Sequence, residues 1–417
     1  MKDNKSTFIL RLTLLAWKNI WRNKVRSGII LGAIATGLFG GTALLSIMEG
    51  WVLSTVKSDI ENQYSHLQMH DTAFLANYDI NACFDREAVE QKINSSDLPG
   101  NVAFRLNLTG IIASPYNTVG VTAKAVIPDE EKQVTTVWQQ IPDTLGTYFA
   151  EDVRNPIVIS KKIADKLKVK LRSKIVFTFQ DAHGDMQSIA FRVGGIYKTS
   201  NGMFDAGNVF VRYDDIFGYT GLPFGAVHES AVRLANIEEC NLVAPQYKNL
   251  FSDMDVQDWS ELNSGLALSL KWTMFMGPIM LSIFLLALAF GIINTMLMAV
   301  LERTREIGML GAIGMSKGKI FSMIMYETMF LTLLGAVVGI VVAVASIYPT
   351  LENGIDLSGF IGDDFEDFGY SSIIYPIFNV RMMVQIVVLV IITGILSAIY
   401  PARKALKLKS LEAIRQV

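Results

Sequence analysis

Few residues of this 417-residue chain stand in patterns that could do chemistry, and the densest group is a charged island inside apolar sequence. Glu302, Arg303, Arg305 and Glu306 end a run from Trp272 to Leu301 that carries no charge. Ile307, Gly308, Met309, Leu310, Gly311 and Gly314 follow at once. Glycines so placed allow the chain to reverse sharply. The expectation is a short helix, charged at its entry and apolar at Ile307, Met309 and Leu310, protruding from a long apolar helix and shaped to dock into another protein.

Other chemistries fit poorly. His66 and His70 are four apart, but Leu67 and Gln68 stand where a zinc-hydrolase helix needs other residues, and only His183 and His228 remain elsewhere. A phosphate-cradling loop needs G-x-x-x-x-G-K-[ST]; at Gly318-Lys319, Ile313 replaces the first glycine and Ile320 the hydroxyl. G-x-S-x-G and C-x-x-C are absent from the sequence. The chain is therefore expected to be no enzyme and to bind no metal or cofactor itself. Cys83 and Cys240 could form a bridge or stay as two buried thiols.

The elements that hold the charged island follow from charge placement. The chain is 51% hydrophobic and only 18% charged, where a soluble domain carries roughly a quarter. The deficit is concentrated in four runs, Ser27–Met48, Trp272–Leu301, Thr328–Leu351 and Met382–Ala402, each near or above the roughly 20 residues that cross a hydrocarbon core as a helix. The first exceeds a signal-peptide core and lacks a small-residue cleavage site, so it is expected to stay as a membrane helix. Basic residues gather in 1–26, at Arg303, Arg305, Lys317 and Lys319, and after the fourth run. The loop 352–379 holds six acids and no Lys or Arg. The positive-inside rule then puts both termini and 302–319 in the cytoplasm, with 49–271 and the acidic loop outside.

The expected architecture is a multi-pass α-helical membrane protein of four spans, with a large α+β extracytoplasmic domain inserted between spans 1 and 2. Its parts are a cytoplasmic amphipathic helix (1–26), spans at 27–48, 272–301, 320–351 and 380–402, the outer domain (49–271), the segment 302–319, a short outer loop (352–379) and a tail (403–417). Leu10, Leu14, Trp17 and Trp21 recur at helical spacing, with Arg11, Lys18 and Arg22 on a neighbouring stripe. Gly28, Gly32, Thr36 and Gly40 form a row of small residues, as do Gly335 and Gly339, which favours close helix pairing in lipid. Asn294 is expected to hydrogen-bond across helices. Glu327 is expected below the bilayer, within reach of Lys317, Lys319 or Arg303. In the outer block, 156–159, 174–180, 186–196 and 207–212 read as strands, 84–94 and 160–167 as helices, and 60–71 and 101–127 as extended.

The run Glu302 to Gly308 with Gly311, Gly314, Glu327 and Gly335 resembles the permease domain shared by FtsX, MacB and the LolC and LolE lipoprotein-release subunits. So do the start, Trp17 to Arg26, and the end, Pro401 to Ala405 with Ser410 to Arg415. The resemblance implies an ABC transporter permease of the mechanotransmission type in the cell inner membrane. Residues 302–314, with Glu302 to Gly311 as the contacts, would couple to a separate ATPase that binds ATP and Mg²⁺, and a second permease copy would complete a homodimer or heterodimer. The outer domain would divide into a base (about 50–129 and 226–270) and a β-rich lobe (about 130–225). The cargo would be a lipoprotein extracted from the membrane, a likeness resting on Ser46 to Trp51 and His66 to His70. Efflux of peptides or antibiotics with a periplasmic adaptor, or regulation of a cell-wall hydrolase, are the alternatives. No nucleic-acid partner is expected.

Overall fold

Among the described residues, four helices are long and apolar enough to cross a membrane: Ser27–Tyr64, Ser264–Glu302, Lys317–Asn353 and Val380–Leu406. The computed structural model describes residues 3–22, 24–96, 98–357, 359 and 373–406, with backbone alone for 3–12 and 26. The acids at 363–367, the tail from Lys407 and the side chains of Leu10 and Arg11 lie outside the described residues. The helices outrun the uncharged sequence. The first continues past Met48 through Glu49, Lys57 and Asp59, and the second begins at Ser264, ahead of Lys271. Helical hydrogen bonding carries on into polar residues; only the uncharged stretch need match the hydrocarbon core.

The chain divides into two compact units, one of Met1–Trp51, Lys271–Ile355 and Tyr375–Val417, the other of Val52–Leu270 and Asp356–Ile374. In the first, Ile30, Ile34 and Leu38, Leu288, Ile292 and Met296, Leu331, and Ile386 and Val390 form a core drawn from all four helices. Large apolar side chains also cover the outside, including Ile29, Phe290, Val337 and Leu396. In water such a surface would drive aggregation, whereas lipid is as apolar as the side chains themselves.

Glycine sets two of the crossings. A Cβ on Gly339 would sit 3.1 Å from the Cα of Ala35, and one on Gly335 2.8 Å from Ile34, so the third helix lies against the first with no room for a side chain. A Cβ on Gly40 would sit 2.6 Å from the ring of Phe284 on the second helix. Gly28 and Gly32 behave differently: nothing lies within 4 Å of the corresponding positions, and both are exposed. The row predicted from sequence therefore splits, packing at Gly40 and open to the surroundings at Gly28 and Gly32.

The second unit is built on a nine-stranded sheet. Its strands, together with a two-stranded ribbon of β2 and β9, are β1 (Leu67–His70), β2 (Phe84–Asp85), β3 (Asn101–Ala113), β4 (Thr118–Val126), β5 (Pro156–Ser160), β6 (Lys174–Gln180), β7 (Met186–Tyr197), β8 (Asn208–Arg212), β9 (Ala226–Val227), β10 (Glu229–Arg233) and β11 (Asp255–Asp258). The order is β11-β1-β10-β3-β4-β8-β5-β7-β6, and β6 pairs back with the end of β3. Six strands thus close a barrel around Leu106, Leu108, Phe177, Phe191 and Val209, while β10, β1 and β11 extend the sheet from the start of β3. The expected lobe at 130–225 omitted two barrel strands: β3 and β4, assigned to the base, line the barrel. The reason is the length of β3, 13 residues, which serves both parts.

Local signals explain the smaller elements. Ser160 caps Lys161–Leu167, its hydroxyl accepting from the Ile163 amide at 3.1 Å, and Asp85 caps Arg86–Asn94 in the same way. The β6–β7 hairpin turns where the Asp181 carboxylate accepts from the amides of His183 and Asp185, both at 2.9 Å. In the stretch read as extended over 60–71, Ile60–Tyr64 instead forms a wide helical turn before β1 begins. Cys83 and Cys240 are both free thiols.

Candidate functional site

The second spanning helix ends at Glu302, and Arg303 leaves the helical conformation with φ −101° and ψ 16°. A nine-residue helix, Thr304–Ala312, follows. It closes with a glycine cap: Gly314 takes φ +98°, its amide donates to the Gly311 carbonyl at 3.1 Å, and the Met315 amide reaches the Leu310 carbonyl at 3.0 Å. This paired arrangement satisfies two carbonyls at a helix end and requires a left-handed residue, which glycine supplies without strain. Lys317 then opens the third spanning helix.

Arg303 holds the reversal in place. Its Nη1 donates to both carboxylate oxygens of Glu327 on the third helix, at 3.2 and 3.1 Å, and its Nη2 lies 3.4 Å from the Asn19 carbonyl on the N-terminal helix Asp3–Arg22. Glu327 is 4% exposed, so its charge needs this partner. Arg303 also lies 3.8 Å from Glu306, which pairs at the surface with Arg22. Trp17 adds an edge-to-face contact with Phe330 at 5.7 Å between centroids. A cavity of about 420 Å³ lies among these elements, walled by Leu15, Arg22, Arg303, Met309, Met315 and Met323.

The predicted site residues part into two groups. Ile307 and Gly308 are buried, and Ile307 belongs to the bundle core, so they support the segment from within and are not part of its outward face. Glu302, Arg305, Glu306 and Met309 are exposed, while Leu310 and Gly311 are half-buried. Ile313, inside the expected coupling region but not singled out there as a contact residue, is 79% exposed, against 55% for Met309. Arg305, Met309 and Ile313 are four apart, one stripe of a helix, and that spacing was the available signal. Arg22 and Asn19 were missed because their partners are 284 residues away. Among the described residues Asn294 hydrogen-bonds to no other helix; it is exposed on the bundle surface. Of the cations expected near Glu327, Arg303 is hydrogen-bonded to it.

The family profile described as FtsX-like permease C-terminal matches residues 278–410, from within the second spanning helix through the fourth. That part of the chain is similar to the permeases of the FtsX, MacB and LolC type. Its resemblance to the ABC transporter permease YtrF of Bacillus subtilis is 37% identity over 132 residues, 31% of this chain and 29% of YtrF. It is 37% identical to the macrolide export ATP-binding/permease protein MacB of Chlorobaculum tepidum over 125 residues, 30% of this chain and 16% of that one. Similarity to the lipoprotein-releasing system transmembrane protein LolC of Xylella fastidiosa is lower, 22%, but extends over 310 residues, 70% of this chain and 72% of LolC. The chain spans less than a third of the length of YtrF and MacB. Four apolar helices, with an α+β domain between the first and second, and the similarity of 278–410 to FtsX-like permeases indicate a multi-pass membrane protein.

Proposed function

We propose that this chain is the permease subunit of an ABC transporter that passes the ATP-driven motion of a separate ATPase to its outer domain. The carrying observation is the clamped reversal. The Arg303–Glu327 pair fixes Thr304–Ala312, while the apolar side chains of Met309 and Ile313 stand exposed. A rigid mount with an exposed apolar and charged stripe suits force transfer into a groove. ATP and Mg²⁺ belong to the partner ATPase in this reading. The basic face then lies in the cytoplasm, with both termini inside and the sheet domain outside the cell inner membrane. The open glycines 28 and 32 suit contact with a second permease copy.

For cargo, the reading is extraction of lipoproteins from the membrane, supported by a similarity to LolC over 70% of this chain, too long to be confined to the spanning helices. Efflux is the second reading, favoured by the higher identity to MacB over a shorter stretch of 125 residues. Ile313→Asp is expected to abolish co-purification of the ATPase while membrane insertion stays intact; undiminished co-purification overturns the coupling reading. Depletion of the chain is expected to strand lipoproteins in the inner membrane. Normal lipoprotein sorting on depletion sinks that cargo.

A further inference from the structure

One face of the outer sheet is polar and yet covered. Alternation in β3 puts Arg105, Asn107 and Thr109 on one side and Leu106 and Leu108 in the barrel core. The register sets Lys124 opposite Asn107 and Thr122 opposite Thr109, and Glu229 and His70 continue the row through Arg105. Beneath this face lies a cavity of about 580 Å³, within the size range of small-molecule sites, with Phe74 and Tyr78 among its walls.

Nearly all the charges here are matched. Arg105, fully buried, donates twice to Glu131 at 2.9 Å, to the Gln63 carbonyl at 3.0 Å and to Glu229. Glu229 also accepts from Gln68 at 2.9 Å and Asn107 at 2.7 Å. Burial would raise its carboxyl, but Lys124 and Arg105 outweigh that and hold it at about 2. Two groups are left over. Lys124 is 6% exposed and lines the cavity, yet among the described residues no acceptor lies within hydrogen-bond or ion-pair distance of its ammonium. The side-chain oxygen of Asn107 is buried with no hydrogen-bond partner. A buried cation and a buried acceptor left unpaired on adjacent strands cost free energy that a ligand can recover.

We propose that this cavity binds a small monoanionic carboxylate bearing a hydrogen-bond donor, the carboxylate on Lys124 and the donor on Asn107. Arg105 and Lys124 balance Glu131 and Glu229, so the site is neutral as it stands; a monoanion on Lys124 adds one net negative charge, whereas a dianion such as phosphate adds two beside Glu229. Amino acids, hydroxy acids and peptide C-termini share the required chemistry. The cavity is walled by Gln63 and Tyr64, at the end of the first long helix, and by Leu262, two residues before the second.

The test is calorimetric titration of the purified full-length protein in detergent with L-alanine, L-alanyl-L-alanine, L-lactate and inorganic phosphate, with melting curves in parallel. At least one carboxylate is expected to bind saturably, to raise the wild-type melting temperature and to lose about tenfold or more in affinity in Lys124→Met. The three carboxylates separate amino-acid, peptide and hydroxy-acid sources. The melting shift needs no variant, so it stands even if Lys124→Met unfolds. Absence of saturable carboxylate binding, phosphate binding as tightly as the best carboxylate, or unchanged affinity in a folded Lys124→Met overturns the proposal.

Discussion

Arg303 and Glu327, 24 positions apart, form a nearly buried ion pair at 3.1 Å that ties the reversal after the second spanning helix to the first turns of the third. Breaking a buried pair leaves the survivor's charge uncompensated, at a cost of about 3–5 kcal/mol. Arg303→Met is expected to lower the melting temperature of the purified protein sharply, and the double variant Arg303→Met/Glu327→Met to recover much of the loss. Equal loss in the single and double variants would show that the pair does not hold the reversal.

The glycine row gives a contrast within one motif. Gly339→Leu forces a side chain into the backbone of Ala35, and overpacking of this kind costs about 1–3 kcal/mol. Gly32→Leu meets nothing in this chain. Melting curves of the isolated chain are expected to separate the two; equal destabilisation would refute the helix crossing seen at Gly339.

Gly314 sits at φ +98°, where a side chain is strained by about 1 kcal/mol or more. Gly314→Val is expected to disturb the glycine cap and shift Ile313, reducing ATPase association more than it reduces stability. A variant that binds as wild type would show that the cap does not orient the exposed stripe.

The sheet domain carries a pH signature. Burial lowers the His66 imidazole to about 4, and its Nδ1 accepts from the Leu234 amide at 3.1 Å, which requires the neutral ring. Burial also lowers His70 and His228. A group with a depressed folded value contributes stability that is present above its unfolded value and lost as pH falls. Stability is therefore expected to drop from about pH 6.5 towards 4 through the histidines, and again from about 4.5 towards 2 as Glu229 is protonated. His66→Gln should flatten the first decline; an unchanged profile between pH 7 and 4 in that variant would contradict it.

How much of this was legible in the sequence depended on range. The four spans and the charged reversal were readable because apolar length and local charge are properties of contiguous residues. Strands such as Pro156–Ser160 and Lys174–Gln180 were readable from alternation and turn residues. The barrel was not, since its closure rests on β3 meeting β6, with Gly110 paired to Phe179, 69 positions later. The polar face was half visible: Arg105, Asn107 and Thr109 alternate with leucines, but only pairing with β4 and β10 shows that the charged side is enclosed. At the site, 302–311 stood out in sequence, while the inward turn of Ile307 and the outward turn of Ile313 depended on where the helix restarts after Arg303.

Photo-crosslinking in cells tests the central claim most directly. A photoreactive amino acid replaces Ile313 in one variant and Ile307 in another, and adducts are identified by mass spectrometry. The expected result is a strong adduct at position 313 with a protein containing a phosphate-cradling G-x-x-x-x-G-K-[ST] loop, and none at 307, which lies inside the bundle. Absence of an ATPase adduct at 313, or equal yields at the two positions, would contradict the coupling role.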